Sequence, residues 1–135
     1  MPPAIERVMK RDDENGIDER SFRFFCNVVT FADTITPGPK TNRIIEQLIG
    51  AAGSIGANRE EALGGTRAEF RHYNEVALRS ANESVRWLRA CAVSRLGNQA
   101  LCTPLLNEAR QLAKILAAIV ITIKRNDGAD KKPEA

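Results

Sequence analysis

The chain has little with which to do chemistry. It holds one histidine, His72, so one copy cannot assemble a catalytic histidine pair or a histidine-rich metal site. Its three cysteines, Cys26, Cys91 and Cys102, show no Cys-x-x-Cys spacing, and their odd number cannot close fully into disulfides. Reduced thiols in a cytoplasmic protein are the plain reading. Aromatic residues make up only 5% of the chain, too few to interleave a basic face with stacking platforms for bases. No run approaches the ~18 apolar residues of a membrane span. The opening residues, MPPAIERVMKRDDENG, lack the apolar centre of a secretion signal. No segment alternates as a half-buried strand, and no fixed period repeats.

What is present is helical and finely divided by size. At 135 residues the chain is long enough for one domain with a real core. Residues 47–65 read QLIGAAGSIGANREEALGG, with almost no side-chain bulk along several turns. Each interior Gly costs ~1 kcal/mol relative to Ala in a helix, so tertiary packing must compensate. A partner face lies downstream, where Ala77, Ser80, Ala81 and Ser84 recur at helical spacing. Two thin faces in contact would account for both runs.

Four helices are expected. The first runs from about Asp18 to Ile35 and stops at Thr36-Pro37-Gly38-Pro39. Its apolar residues, Phe22, Phe24, Phe25, Val28, Val29, Phe31, Ala32 and Ile35, spread over about half the circumference. That exceeds one core-facing stripe and implies a second buried face, against another subunit. The second helix runs over about 41–63 and ends at Gly64-Gly65 in left-handed punctuation. Thr66 and Glu69 form a capping box for the third, which reaches about Leu96 with Gly97 as its stop. The fourth starts at Thr103-Pro104, with Pro in the first turn, and runs to about Arg125. Short connections favour an all-α, antiparallel up-down-up-down four-helix bundle over residues 17–125. Residues 1–16 read as a disordered arm and 126–135 as a disordered tail.

The pattern Gln47-Leu48, Ala51-Ala52, Ser54-Ile55, Ala57-Asn58, Glu61-Ala62, Gly64, then Glu69-Phe70, Ala77, Ser80, Glu83 and Trp87-Leu88, resembles a known family. These are the four-helix-bundle proteins encoded in 23S ribosomal RNA intervening sequences, which include accessory proteins of diversity-generating retroelements. The likeness spans roughly Ile17 to Arg125 and rests on packing residues, so it speaks for fold more than for activity. Gly56 stands where the family often has Pro, and the net charge of +3 is modest beside the retroelement members. The resemblance implies a homo-oligomer, a ring-like pentamer, and in the retroelement setting a reverse transcriptase as partner.

No constellation points to catalysis, a cofactor or a metal. Glu69-Phe70-Arg71-His72 matches the Glu-x-x-His pair of di-metal bundles, but such a site needs a second pair. The structural alternative places Glu69 in the cap and His72 on the outer face. The glycines of GAAGSIG lie inside a helix and lack the Lys-Ser/Thr ending of a phosphate loop. Cys26 and Cys91 fall on predicted core faces, where thiols are usually inert. Ser54, Asn58 and Glu61 on the second helix, with Ser80, Glu83 and Ser84 on the third, read as an interhelical hydrogen-bond network. A ligand-binding carboxylate is the alternative.

Charge is unevenly distributed. Arg71, Arg79, Arg86 and Arg89 share an arc of roughly 80° on the third helix at ~100° per residue. Arg110, Lys114 and Arg125 lie on the polar side of the fourth. Such a stripe is either a phosphate-binding surface for RNA or DNA, or a solvated face that Glu75 partly neutralises. In the pentamer that the resemblance implies, five copies of the chain charge amount to about +15 per ring, which is the main argument for the first reading. Two function classes follow. One is a non-enzymatic oligomeric scaffold contacting nucleic acid; the other is a protein-partner module that does not.

Overall fold

The protein was analysed as a computed structural model that describes residues 16–130. The expected arm therefore lies, except for Gly16, outside the described residues, as do residues 131–135 of the expected tail. Helices α1 (Ile17–Ala32), α2 (Pro39–Gly64), α3 (Arg67–Val93) and α4 (Gln99–Asp130) follow one another, with no strand among the described residues. Packing runs α1–α2, α2–α3, α3–α4 and α4–α1, without close backbone approach across either diagonal. This is an antiparallel up-down-up-down four-helix bundle.

The core follows seams of three- and four-residue spacing. Leu48, Ala52, Ile55 and Ala62 line α2; Ala77, Ala81, Leu88 and Cys91 line α3; Leu105, Ala109, Leu112 and Leu116 line α4. Phe24, Val28 and Phe31 of α1 complete it. Each fully buried Leu or Phe contributes about 1.5–3 kcal/mol by leaving water. The α2–α3 pair is the most extensive contact, consistent with small residues that let backbones approach.

Several boundaries differ from the sequence expectation, each for a local reason. Helix α1 ends at Ala32, and Ile35, in the connection, still plugs the core. Helix α3 ends at Val93, not Leu96. The left-handed residue there is Arg95 (φ 52°), and the Leu96 N–H bonds to the Cys91 carbonyl at 2.9 Å. That is a Schellman stop built on an arginine. Gly97 (φ 70°) then turns the chain into α4. Helix α4 starts at Gln99, not Thr103, because Asn98 caps it. The Asn98 Oδ1 accepts from the Ala100 N–H at 2.9 Å, leaving Pro104 inside the helix. The helix also continues through Asp130, so the expected tail is helical over its first five residues. Asp127 holds that extension, accepting from Arg67 at 3.2 Å and Arg71 at 3.4 Å.

The α2–α3 connection is another correction. Gly65 is extended (φ −106°), not left-handed. Its need for Gly is spatial: a Cβ there would lie 2.8 Å from the Glu69 Cβ. Thr66 and Glu69 form the capping box, with the Glu69 N–H and Thr66 Oγ1 at 3.2 Å and the Thr66 N–H and Glu69 Oε1 at 3.2 Å. Cys26, expected in the core, is exposed on α1, half a turn from the Phe24 side.

Candidate functional site

The thin run of α2 divides between two neighbours. Gly53 and Gly56 face α1: a Cβ on Gly53 would lie 3.1 Å from Phe25, and one on Gly56 would lie 3.9 Å from Ser21. Ser54 turns instead to α3, where the Ser80 hydroxyl donates to Ser54 Oγ at 2.9 Å. The single face imagined from sequence is thus two faces, because residues one or two apart on a helix point to different neighbours.

The expected polar network divides as well. Asn58 donates to Ser54 Oγ and to the Ser54 carbonyl, both at 2.8 Å, extending the Ser80–Ser54 bond along α2. Ser84 is buried, yet its hydroxyl donates to the Ser80 carbonyl of its own helix at 2.9 Å. Glu61 and Glu83 are exposed and do not enter the network, which corrects the expectation for both. A solvated carboxylate avoids the desolvation cost that a place beside Ala81 and Ser84 would carry.

The dominant buried polar group went unpredicted. Arg59 is 9% exposed, at a core position between Ile55 and Ala62. It donates to the Asp18 carboxylate through Nε at 2.8 Å and Nη2 at 3.2 Å, and to Asn74 Oδ1 at 2.8 Å. Asn74 is fully buried and passes the chain on to the Phe70 carbonyl at 2.8 Å. One guanidinium therefore joins α1, α2 and α3. Its signal was available: Arg59 and Asn74 interrupt otherwise apolar seams at the spacing of core residues. A second fork runs from Arg20 to Glu108, tying α1 to α4, with Arg20 Nε 3.2 Å from Oε2. That hydrogen bond raises the Arg20 pKa.

The basic stripe separates into paired and unpaired members. Arg71 donates to Glu75 at 3.1 Å and to Asp127, so it is largely committed within the chain. Arg79, Arg86 and Arg89 are exposed, with no ion pair among the described residues. Arg110 and Lys114 are exposed on α4. The antiparallel register of α3 and α4, set by the Cys102–Leu88 and Arg71–Asp127 contacts, brings Lys114 about level with Arg79 and Arg110 between the levels of Arg79 and Arg86. Five cations consequently flank the outer side of one interhelical seam. Glu83, exposed one turn from Arg79, borders them. Arg125 lies further along α4, exposed near Ile121.

The remaining reactive groups are muted. Burial first, and the neighbouring Cys102 second, push the Cys91 thiol up to about 11. Burial raises Cys102 as well. Such thiols are poor nucleophiles near neutrality. His72 is exposed, edge-on to Tyr73 with ring centroids 5.2 Å apart, while Glu69 is held in the cap. Among the described residues no helix is long and apolar enough to cross a membrane.

Comparison with known proteins places this bundle. No curated protein matches the sequence. A solved structure of similar fold is a protein of unknown function from the S23 ribosomal protein family of Bacteroides thetaiotaomicron VPI-5482, with a TM-score of 0.70 and 25% identity. The alignment covers 77% of this chain and 97% of that one. Residues 14–118 match the family described as 23S rRNA-intervening sequence protein. With the match taking in α1, α2, α3 and most of α4, the chain belongs to the 23S rRNA-intervening sequence protein family.

Proposed function

We propose that the protein is a non-enzymatic, self-associating scaffold whose outer α3–α4 face takes the phosphate backbone of RNA or DNA. The observation that carries this reading is the cluster of exposed cations, Arg79, Arg86, Arg89, Arg110 and Lys114, with no ion pair to a carboxylate among the described residues. Unpaired guanidinium groups on a rigid helix face release counterions when they meet phosphate, without reading base sequence. The family's association with 23S rRNA intervening sequences favours RNA. The non-enzymatic part rests on how the buried polar groups are spent: Arg59, Asn74, Ser54 and Ser80 bond to one another or to Asp18 and backbone.

Self-association is supported by apolar surface. Phe22 is 61% exposed and Val29 38% on the outer side of α1, and Ile121 is 54% exposed on α4. Beside Phe22 lies a concave surface lined by Phe25, Gly53, Gly56 and Ala57, with a volume of 240 Å³. Another copy's side chains could fill it. Light scattering after size exclusion should show one closed oligomer, of five chains; a monomer at tens of micromolar overturns the assembly. Retention of structured RNA or duplex DNA at ~50 mM salt should be strong and fall steeply with added salt. Replacing Arg79, Arg86 and Arg89 together with Gln should abolish it while leaving helicity and oligomer size intact. If the parent retains neither, the stripe is a solvated face and a protein partner, such as a reverse transcriptase, becomes the better reading.

A further inference from the structure

Two strips on different sides of the bundle match each other. On α2, Glu46, Ile49, Gly53, Ala57 and Glu60 follow one another at spacings of three and four, so they share one face. Phe22 and Phe25 of α1 border that face and, with Gly53, Gly56 and Ala57, line the 240 Å³ hollow. The ends of this crease are acidic. Glu46 and Glu60 are exposed, roughly 21 Å apart at 1.5 Å per residue, with no ion pair among the described residues. On α4, Lys114, Ala118, Ile121 and Arg125 form an exposed ridge at the same kind of spacing. Its ends are basic: Lys114 and Arg125 lie roughly 17 Å apart, again with no ion pair among the described residues.

We infer that the α1–α2 crease of one copy receives the α4 ridge of the next, with Ile121 seated over Gly53 and Gly56 beside Phe22, and with Arg125 and Lys114 meeting Glu60 and Glu46. The inference rests on the self-association proposed above and names the two surfaces that make it. An apolar crease with acidic ends and an apolar ridge with basic ends are complementary in both shape and charge. One chain cannot join them by itself. Helix α4 packs on α1 through the side that carries Leu105 and Glu108, and Ile121 leaves the helix about 140° away from Glu108 at ~100° per residue. Gly56 points the same way. A Cβ there would meet only Ser21, at 3.9 Å, an ordinary contact, so the interior of the bundle does not require glycine at this place. A crease deep enough for a partner's isoleucine does.

Because crease and ridge are different surfaces, each copy offers one to each neighbour. Such head-to-tail contacts end in a ring when the rotation between copies closes. The contact draws Lys114 from the cation cluster and leaves Arg79, Arg86 and Arg89 of α3 outside it, so assembly and nucleic-acid binding do not compete for those three arginines.

The test uses the full chain, with light scattering after size exclusion. Glu60→Arg and Arg125→Glu, both at exposed positions, should each weaken assembly at least about tenfold by setting like charges together across the contact. Both changes in one chain should restore the parent's oligomer. In a Cys26→Ser background, Ala57→Cys combined with Ile121→Cys should give a ladder of disulfide-linked chains under mild oxidation, whereas either cysteine alone should link no chains. A monomeric parent overturns the self-association and this inference together. An oligomeric parent overturns the inference alone if the single charge reversals keep its size, if the double cysteine variant gives no ladder, or if either cysteine links to its own copy in the next chain.

Discussion

The two ends of the bundle are built by different rules. At the end where α1 turns into α2 and α3 into α4, all four helices are present and the connections seal one another. The Asn98 N–H donates to Thr34 Oγ1 at 2.9 Å, the Gln99 side chain caps the Leu96 carbonyl at 2.9 Å, and Ile35 is 3% exposed. At the opposite end the described part of α1 starts at Ile17, while α2, α3 and α4 run further. Leu63 is 66% exposed there, and Phe70, Ile115 and Ile119 are each only partly buried. What the neighbouring segments supply, not composition, separates the sealed end from the more exposed one. Isoleucines at both ends are equally apolar, and only the neighbours differ.

Gly97→Ala at the sealed end should have the largest effect. A Cβ there would lie 2.8 Å from Thr34 Oγ1, 2.9 Å from Ile35 and 3.0 Å from Phe31, on a left-handed backbone. Left-handed strain and overpacking together should cost about 3 kcal/mol. Thermal melting should fall by about 10 °C. A shift within a degree or two would mean that the two connections do not seal each other.

Arg59→Ala tests the boundary between the ends, where α1 begins. It frees the Asp18 carboxylate and leaves Asn74 Oδ1 buried without its donor, at a cost of about 2–3 kcal/mol in urea unfolding. Asp18→Asn should cost less, since an amide oxygen can still accept. Equal losses would show that charge rather than burial governs the joint.

A third pair of substitutions separates the two thin faces of α2. Ala81→Leu, in the fully buried α2–α3 seam, should cost about 2 kcal/mol. Gly53→Leu meets Phe25, which is partly exposed and can swing aside, so about 1 kcal/mol is expected. The reverse order in calorimetry would return the tight contact to Gly53.

At the open end the capping box should dominate locally. Thr66→Ala should cost about 1 kcal/mol. The Thr66 backbone N–H, and next the Thr66 hydroxyl hydrogen bond, hold the Glu69 carboxyl below its usual range. Glu69 therefore stabilises fully above its unfolded pKa of about 4.3 and loses that contribution as pH falls through the lower folded value. The melting difference between the parent and Glu69→Ala should narrow on acidification, and a constant difference would remove the carboxylate from the cap. The smallest effect has the opposite sign. Gly64→Ala meets nothing within 4 Å and should stabilise by about 0.5 kcal/mol, in direct contrast to Gly97→Ala.

Much of the architecture was legible because it depends on local periodicity. Four apolar stripes, the Thr66–Glu69 box and Pro-Gly punctuation suffice to mark helices and their order. The boundaries misread were those where a polar residue outranked a breaker. Asn98 captured the start of α4 ahead of Pro104, and Arg95 took the left-handed stop that Gly97 had seemed to supply. The polar network was half legible. Ser54, Asn58 and Ser80 are joined, but Glu61 and Glu83 belong to solvent, and the phase of a long helix drifts too far for one residue's facing to be read at its flank.

By itself the sequence determined the class of fold, the family and the poverty of catalytic groups, since those follow from residue types and short-range spacing. Only the tertiary structure decided which neighbour each small residue meets, that Arg59 bridges three helices, and that Arg71 is neutralised while Arg79, Arg86 and Arg89 stay free of ion pairs among the described residues. Those outcomes depend on distances between segments far apart in the chain. Spacing along one helix gives the angle at which a side chain leaves it, but the partner waiting there is set by how the other three helices stack.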